Sequence, residues 1–432
     1  MSKRIIQVEE KLPAAMALPL SIQHVFAMFG ASILVPIIFG IDAGIVLLMN
    51  GIGTLIFSFL TKGKAPAYLG SSFAFLAPAG VIIAAKGFEY AQGGFVAVGI
   101  AGCILALIIY KCGTKWLDII LPPAAMGPVV ALIGLELAAN PVSGGSTGVG
   151  LLDGSATGPE MAVFFITLAI AVFGSVVFRK FFSVIPILIA IISGYAVAFC
   201  FGLVDFSPVK EASLFTLPAF SLAKFDMQSI MIMLPVLLVV TAEHVGHQLV
   251  TGGIINKDLI REPGLHRSLL GDNISTAISG FVGSVPTTTY GENIGVMAMT
   301  GVYSVQVIRG AAVISILMAF IGPLSALIST IPGPVIGGTT FLLYGTIGTA
   351  GLRLLVDRRV DYAQPQNLAL TSVVFVAGLS GIAIHVGTVT LSGMTLAAAV
   401  AVTLSLCFYI LKKLHLTNDF EERVVESQKK NK

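Results

Sequence analysis

Val285-Pro-Thr-Thr-Thr-Tyr-Gly-Glu-Asn-Ile-Gly-Val-Met-Ala-Met-Thr300 puts a carboxylate, Glu292, inside a strongly apolar region. Pro286 and three β-branched threonines favour extended backbone, and Gly291 permits the turn into an apolar run that starts a helix near Glu292. The stretch reads as a broken membrane span. Irregular backbone at membrane depth persists only where protein covers it or a polar cavity wets it, so the break predicts a cavity about halfway across the bilayer. Upstream, Thr241-Ala-Glu-His-Val-Gly-His-Gln248 supplies a second carboxylate, Glu243, and two histidines.

The surrounding composition supports a membrane setting. Hydrophobic residues make up 56% of the 432 and charged residues 11%, with a mean hydropathy of +0.95, far from the balance of a soluble domain. Apolar segments long enough to cross ~30 Å of hydrocarbon recur between residues 14 and 411, about fourteen in all. Residues 1–13 are polar and lead into the first span without a cleavage site, so no removable signal is expected. Cys103, Cys112, Cys200 and Cys407 are scattered without metal or disulfide spacing. No phosphate loop with its lysine follows a strand, which argues against ATP drive. Neither a metal, a cofactor nor a nucleic-acid partner is expected, and no spacing calls for an enzyme.

The expected spans lie at 14–39, 44–60, 93–110, 117–138, 161–177, 182–203, 230–250, 269–282, 304–328, 334–350, 368–384 and 391–411, with the broken third at 67–78 and the broken tenth at 285–300. With the loops so placed, Lys86, Lys210 and Lys224 fall on one side and the other 22 of the 25 lysines and arginines on the opposite side. The positive-inside rule then makes both termini cytoplasmic, which requires an even number of spans. Residues 204–226 form the connection between halves, and 412–432 a charged cytoplasmic tail.

The halves echo one another. Gln23-His24-Val25 is answered by Glu243-His244-Val245, Leu69-Gly-Ser-Ser72 by Tyr290-Gly-Glu-Asn293, and Pro122-Pro-Ala-Ala-Met-Gly127 by Pro332-Gly-Pro-Val-Ile-Gly337. Three matches in one order imply a duplicated unit, 14–203 and 227–411. Seven spans per unit, an odd number, force the copies into opposite orientations. The fold class expected is an all-α polytopic membrane protein of two inverted seven-span repeats.

Glu243 and His247 are four residues apart and share a helix face, with His244 and Gln248 on the adjoining one. A carboxylate at membrane depth must be protonated, paired or wetted, which makes Glu243 and Glu292 candidates for substrate contact or proton relay. Glu136, near the end of the fifth span, reads as interfacial. Helix starts at the breaks offer N–H groups and the glutamates offer acceptors, so a planar neutral molecule with alternating N–H and C=O edges, such as a pyrimidine or oxopurine, satisfies both. Phe73 and Tyr290 could pack on its ring. Gln23, His24, Ser72, His244, Asn293 and Thr300 form an expected supporting polar network.

The run Glu292-Asn-Ile-Gly-Val-Met-Ala-Met-Thr300, the pair Gln23-His24, and the segments Tyr68-Leu-Gly-Ser-Ser-Phe-Ala-Phe75 and Ala242-Glu-His-Val-Gly-His247 resemble the signatures of the nucleobase-ascorbate transporter (nucleobase:cation symporter-2) family, above all its bacterial uracil carriers. The resemblance implies a core domain of spans 1–4 and 8–11 and a gate domain of spans 5–7 and 12–14. It also implies proton-coupled uracil import across the cell membrane and a homodimer. Carried over by position, Glu243 and Glu292 would accept hydrogen bonds from the uracil ring nitrogens. The amides of Phe73 and Gly291 would meet a carbonyl oxygen, His247 would couple to Glu243 in proton handling, and Tyr290 would line the ring. Gly301 departs from the arginine frequent there in the family, at a position associated with substrate range. Glu292 favours uracil over xanthine or urate. The alternatives are a broader nucleobase permease or an anion transporter on the same repeat plan.

Overall fold

The computed structural model describes residues 5–386 and 389–417, folded almost wholly into helices with two short antiparallel strand pairs. Among the described residues, eight helices are long and apolar enough to cross a membrane, and four further apolar helices are shorter. This is a helical multi-pass membrane protein, as its composition requires.

Helices α1 (Ala14–Phe39) and α2 (Ala43–Leu60) open the chain. The first stops at Gly40, whose left-handed φ of 68° lets its N–H reach Ile37 O while Ile41 N–H reaches Pro36 O. Asp42 starts the second by accepting the Gly44 N–H at 2.9 Å. Its carboxylate also takes the Ala219 N–H at 2.9 Å and the Ser325 hydroxyl, fixing the path of the inter-repeat connection. Next come β1 (Leu69–Ser71), a turn at Phe73–Phe75, α3 (Leu76–Lys86) and α4 (Phe88–Cys112). The fifth expected span is α5 (Leu117–Ile120) and α6 (Pro123–Leu135), parted by Leu121-Pro122 because proline disfavours helix in the residue before it. Then follow α7 (Gly158–Val177), started by a Thr157–Glu160 capping box, and α8 (Pro186–Cys200).

The second half contains α9 (Ser207–Glu211), α10 (Met227–Met233), α11 (Val236–Ile255), α12 (Leu265–Val282), β2 (Thr287–Thr289), α13 (Gly291–Thr300), α14 (Val305–Met318), α15 (Gly322–Ser329), α16 (Gly333–Asp357), α17 (Pro365–Leu379), β3 (Ala383–Val386), β4 (Val389–Ser392) and α18 (Gly393–Lys413). Two expectations need correction. The continuous span at 304–328 is two helices: the chain turns after Met318, and Gly322-Pro323 restarts it, proline suiting a first helical turn that needs no N–H partner. Residues 383–386 and 389–392 are paired antiparallel strands rather than helix ends, because they are rich in β-branched residues, which favour extended backbone. Glu136, by contrast with a free interfacial acid, accepts the Met394 N–H at 3.0 Å at the start of α18.

The two broken spans meet. β1 and β2 pair antiparallel in the register Leu69↔Thr289, Gly70↔Thr288 and Ser71↔Thr287. Ser72 N–H to Pro286 O (2.8 Å), Tyr290 N–H to Tyr68 O (3.0 Å) and Leu69 N–H to the Thr54 hydroxyl (2.9 Å) satisfy the flanking backbone. Around this junction, α1, α2, α4, α12 and α14 pack on one another, and α6, α7, α8, α16, α17 and α18 on one another. Ion pairs gather at two places. Lys86 and Lys224 both lie about 6 Å from the Tyr90 ring and pair with Asp226 and Glu89. Elsewhere Lys257 binds Glu9 and Lys64 binds Glu262, holding both carboxyls below their ordinary range.

The second packing group depends on backbones in close approach. A methyl at Gly351 of α16 would overlap the Ala131 nitrogen and stand 2.5 Å from the Gly127 carbonyl, and one at Gly134 would overlap the Tyr344 carbonyl. Gly351→Val should therefore separate α6 from α16 at a cost on the order of 1–3 kcal/mol. It should lower the melting temperature of the detergent-solubilised protein by several degrees; an unchanged melt would mean that the helices tolerate a wider separation.

Candidate functional site

The paired strands create the site through the helices they lead into. Each broken span leaves its strand and begins a helix, so the N–H groups of Phe73 and Gly291 sit at helix starts without a backbone acceptor among the described residues. Between these starts and α11 and α16 lies a cavity of about 290 Å³. Its lining includes Phe73, Glu243, His247, Tyr290, Gly291 and Glu292, together with Val130, Leu343 and Thr346. The five residues expected to touch substrate and His247, expected to handle the proton, thus surround one space. No lysine or arginine is among its lining residues, so the two carboxyls face each other's field without a local cation.

Tyr290 is positioned by the strand it follows. Its ring lies flat against Gly70, where a methyl would occupy the ring's own position, and its hydroxyl donates to Ser71 O at 3.1 Å. Phe73 meets the Tyr344 ring edge-on at 6.3 Å. On α11, Glu243 and His247 are half-buried at the cavity wall, whereas His244 and Gln248 are fully buried behind it. His247 Nδ1 lies 2.9 Å from the Thr289 hydroxyl, which sets the ring from the neighbouring strand; the hydrogen bonds of His247 do not include one to Glu243.

The supporting network divides. His24 in α1 accepts from the Asn293 amide through its carbonyl at 3.0 Å, with Nδ1 at the same distance, and so ties α13 to α1. Ser72 is buried beside the strands and holds Pro286 through its backbone. Gln23 is half-buried beside His24 without a hydrogen bond to other described residues. Thr300 bonds Val296 O and receives Val302 N–H at the far end of α13, outside the cavity. Gly301 ends that helix with φ 71° and also lines neither the cavity nor its approach.

One acid was overlooked in the sequence. Asp272 of α12 is buried and its Oδ2 lies 3.1 Å from His244 Nδ1, directly behind Glu243. The signal was present: a carboxylate within the apolar run 269–282 obeys the same rule that singled out Glu243. Thr288, Thr289 and Thr346 also went unremarked as lining or orienting hydroxyls.

A larger space of about 540 Å³ adjoins the cavity, sharing Glu243, His247 and Gly291 with it. It runs between α11 and α16 past Gly246 and Val250 to Arg353 and Asp357, which pair at 3.3 Å.

The arrangement can be placed among known proteins. Residues 15–387 match the model of the Permease family, Xan_ur_permease. The chain is 52% identical to a uracil permease of Paenibacillus larvae, over 97% of this chain and the whole of that one. It is 50% identical to a uracil permease of Escherichia coli K12 over 96% of each, and 45% identical to one of Bacillus subtilis over 89% and 91%. In fold it is similar to the transmembrane domain of the cyanobacterial bicarbonate transporter BicA, with TM-score 0.61, 16% identity, and coverage of 86% of this chain and 99% of that one. Murine Slc26a9 in its inward-facing state gives TM-score 0.67 at 10% identity, covering 94% and 69%.

Gly70→Ala should push the Tyr290 ring out of place and lower ligand affinity by about ten-fold or more, since a ring-stacking contact and the shape of the wall are lost together. Tyr290→Phe loses only the bond to Ser71 and should cost about 1 kcal/mol, roughly five-fold. Equilibrium binding to the two purified variants reads the difference; equal effects would mean that Gly70 does not act through the ring.

Proposed function

The chain belongs to the nucleobase-ascorbate transporter family, and from that membership we propose that it imports uracil together with a proton across the cell membrane. Its relatives are permeases, not enzymes. The observation that carries the reading is the cavity in which two carboxyls and two unpaired helix-start N–H groups converge. Uracil presents two ring N–H groups and two carbonyls in one plane, matching acceptors and donors alike. Glu243 and Glu292 take the N–H groups, the amides of Phe73 and Gly291 meet a carbonyl, and Tyr290 and Phe73 flank the ring.

Transport works by alternating access. The strands with α1–α4 and α10–α14 form the moving core and α5–α8 with α16–α18 the gate, in keeping with the two packing groups. The 540 Å³ approach leads toward Arg353 and Asp357 on the basic, cytoplasmic side, which supports an inward-open arrangement. Protonation of Glu243, adjusted by His247, couples the proton to substrate, and no other cofactor is required. The protein works as a homodimer with both termini in the cytoplasm. Xanthine or urate is a weaker fit, because Glu292 offers only acceptors where an amide would offer both. A bare anion is disfavoured by two carboxyls in one cavity.

Labelled uracil uptake into proteoliposomes should rise with an inward proton gradient and resist excess xanthine. Glu243→Gln and Glu292→Gln each remove an ionisable acceptor worth about 1.5–3 kcal/mol, so uptake should fall at least about ten-fold. Wild-type uptake by either variant removes that residue from the site, and block by xanthine widens the substrate class to purines.

A further inference from the structure

Among the described residues, Glu292 is the only one with an ionisable carboxyl, amine or imidazole that lines a second cavity, of about 210 Å³, lying beyond it from the substrate site. The walls of this second space are Ala27 and Ala31 of α1, Gly295 of α13, and the segment 183–188 that leads into α8. Small residues keep it open: a methyl built at Gly295 would meet nothing within 4 Å. The segment 183–188 also carries open backbone donors. Ile187 and Leu188 stand in the first turn of a fifteen-residue helix opened by Pro186, and their N–H groups have no hydrogen-bond acceptor among the described residues. The Glu292 carboxyl likewise makes no side-chain hydrogen bond to another described residue. An acceptor and two open donors thus belong to residues lining one space large enough for several waters, each needing two to four polar partners.

Resting on the uptake reading above, in which Glu243 is the coupling acid, we propose that this second cavity is a water compartment that supplies a proton to Glu292, and through Glu292 to its cavity neighbour Glu243, without passing the substrate. Hydronium there gives a proton to a Glu292 carboxyl oxygen and leaves water behind, and the reverse step returns it, so nothing beyond water is consumed. Substrate filling the first cavity leaves this route open, because Glu292 is shared by both spaces. On the first side Glu292 faces Glu243 and His247 of α11 and follows Tyr290, whose hydroxyl is committed to Ser71. On the second side neither α1 nor 183–188 contributes a titratable lining group, and His24 of α1 is held by Asn293.

Ala31→Leu fills the compartment from α1 without touching the substrate cavity. Two readouts are compared in proteoliposomes: uracil uptake driven by a proton gradient, and uracil-for-uracil exchange with no gradient, which requires no net proton movement. Gradient-driven uptake should fall about ten-fold or more while exchange stays within about two-fold of wild type. Should that variant fail to fold, Ala27→Cys closed by a methanethiosulfonate reagent on the folded protein reads the same effect, against reagent-treated wild type with its four native cysteines. Unchanged gradient-driven uptake, or an equal loss of both activities, overturns the compartment. Wild-type uptake that ignores the gradient would instead overturn the coupling itself and this route with it.

Discussion

Backbone that leaves the helix inside a bilayer must find its hydrogen bonds within the protein, and the pairing of β1 with β2 meets that demand. Each strand is three residues long, too short to be stable alone. The pair holds because Thr54, Pro286 and Tyr68 complete the bonding at its flanks, and because both strands are buried on every side. The geometry of the site is set by where the strands stop. Phe73 and Gly291 begin helices there, Glu292 enters the first turn of its helix, and Thr289 reaches across to hold the His247 ring.

The environment of the strands is divided between two bodies of helices. On one side hydroxyl bonds tie α14 to α2, through Ser315 to Leu47 O, and α12 to β2, through Thr276 to Thr287 O. On the other, α6 and α16 touch backbone to backbone through glycine, which leaves little freedom for them to slide. The cavity takes Glu243 from α11, Glu292 from α13 and Leu343 and Thr346 from α16, so its walls come from helices that meet at the strand pair.

Much of this was legible in the chain because bilayer chemistry leaves few alternatives. A carboxylate or a Pro-Thr-Thr-Thr run within apolar sequence demands explanation, which singles out Glu243 and Glu292; His247 follows from its four-residue spacing to Glu243 and Tyr290 from being an aromatic at the break. The amide roles given to Phe73 and Gly291 came only from family resemblance. Asp272 yielded to the same rule but was missed, since its partner His244 is 28 residues away and only the fold joins them. The pairing of 383–386 with 389–392 was missed for another reason: β-branched residues suit membrane helices and strands alike, and no periodicity separates them over so short a run. The bond of His247 to Thr289, rather than one along its own helix, is likewise tertiary and has no local signature.

Leu69 and Thr289 are paired across 220 positions of chain. Ribosomes add residues singly, so β1 reaches the bilayer long before its partner exists. During that interval its N–H and C=O groups have only nearby groups such as the Thr54 hydroxyl, or water, to satisfy them. The first half of this protein is therefore an unfinished insertion product until the second half arrives. Its strand must be shielded by the insertion machinery or held at the interface until Thr287–Thr289 is in place to pair with it.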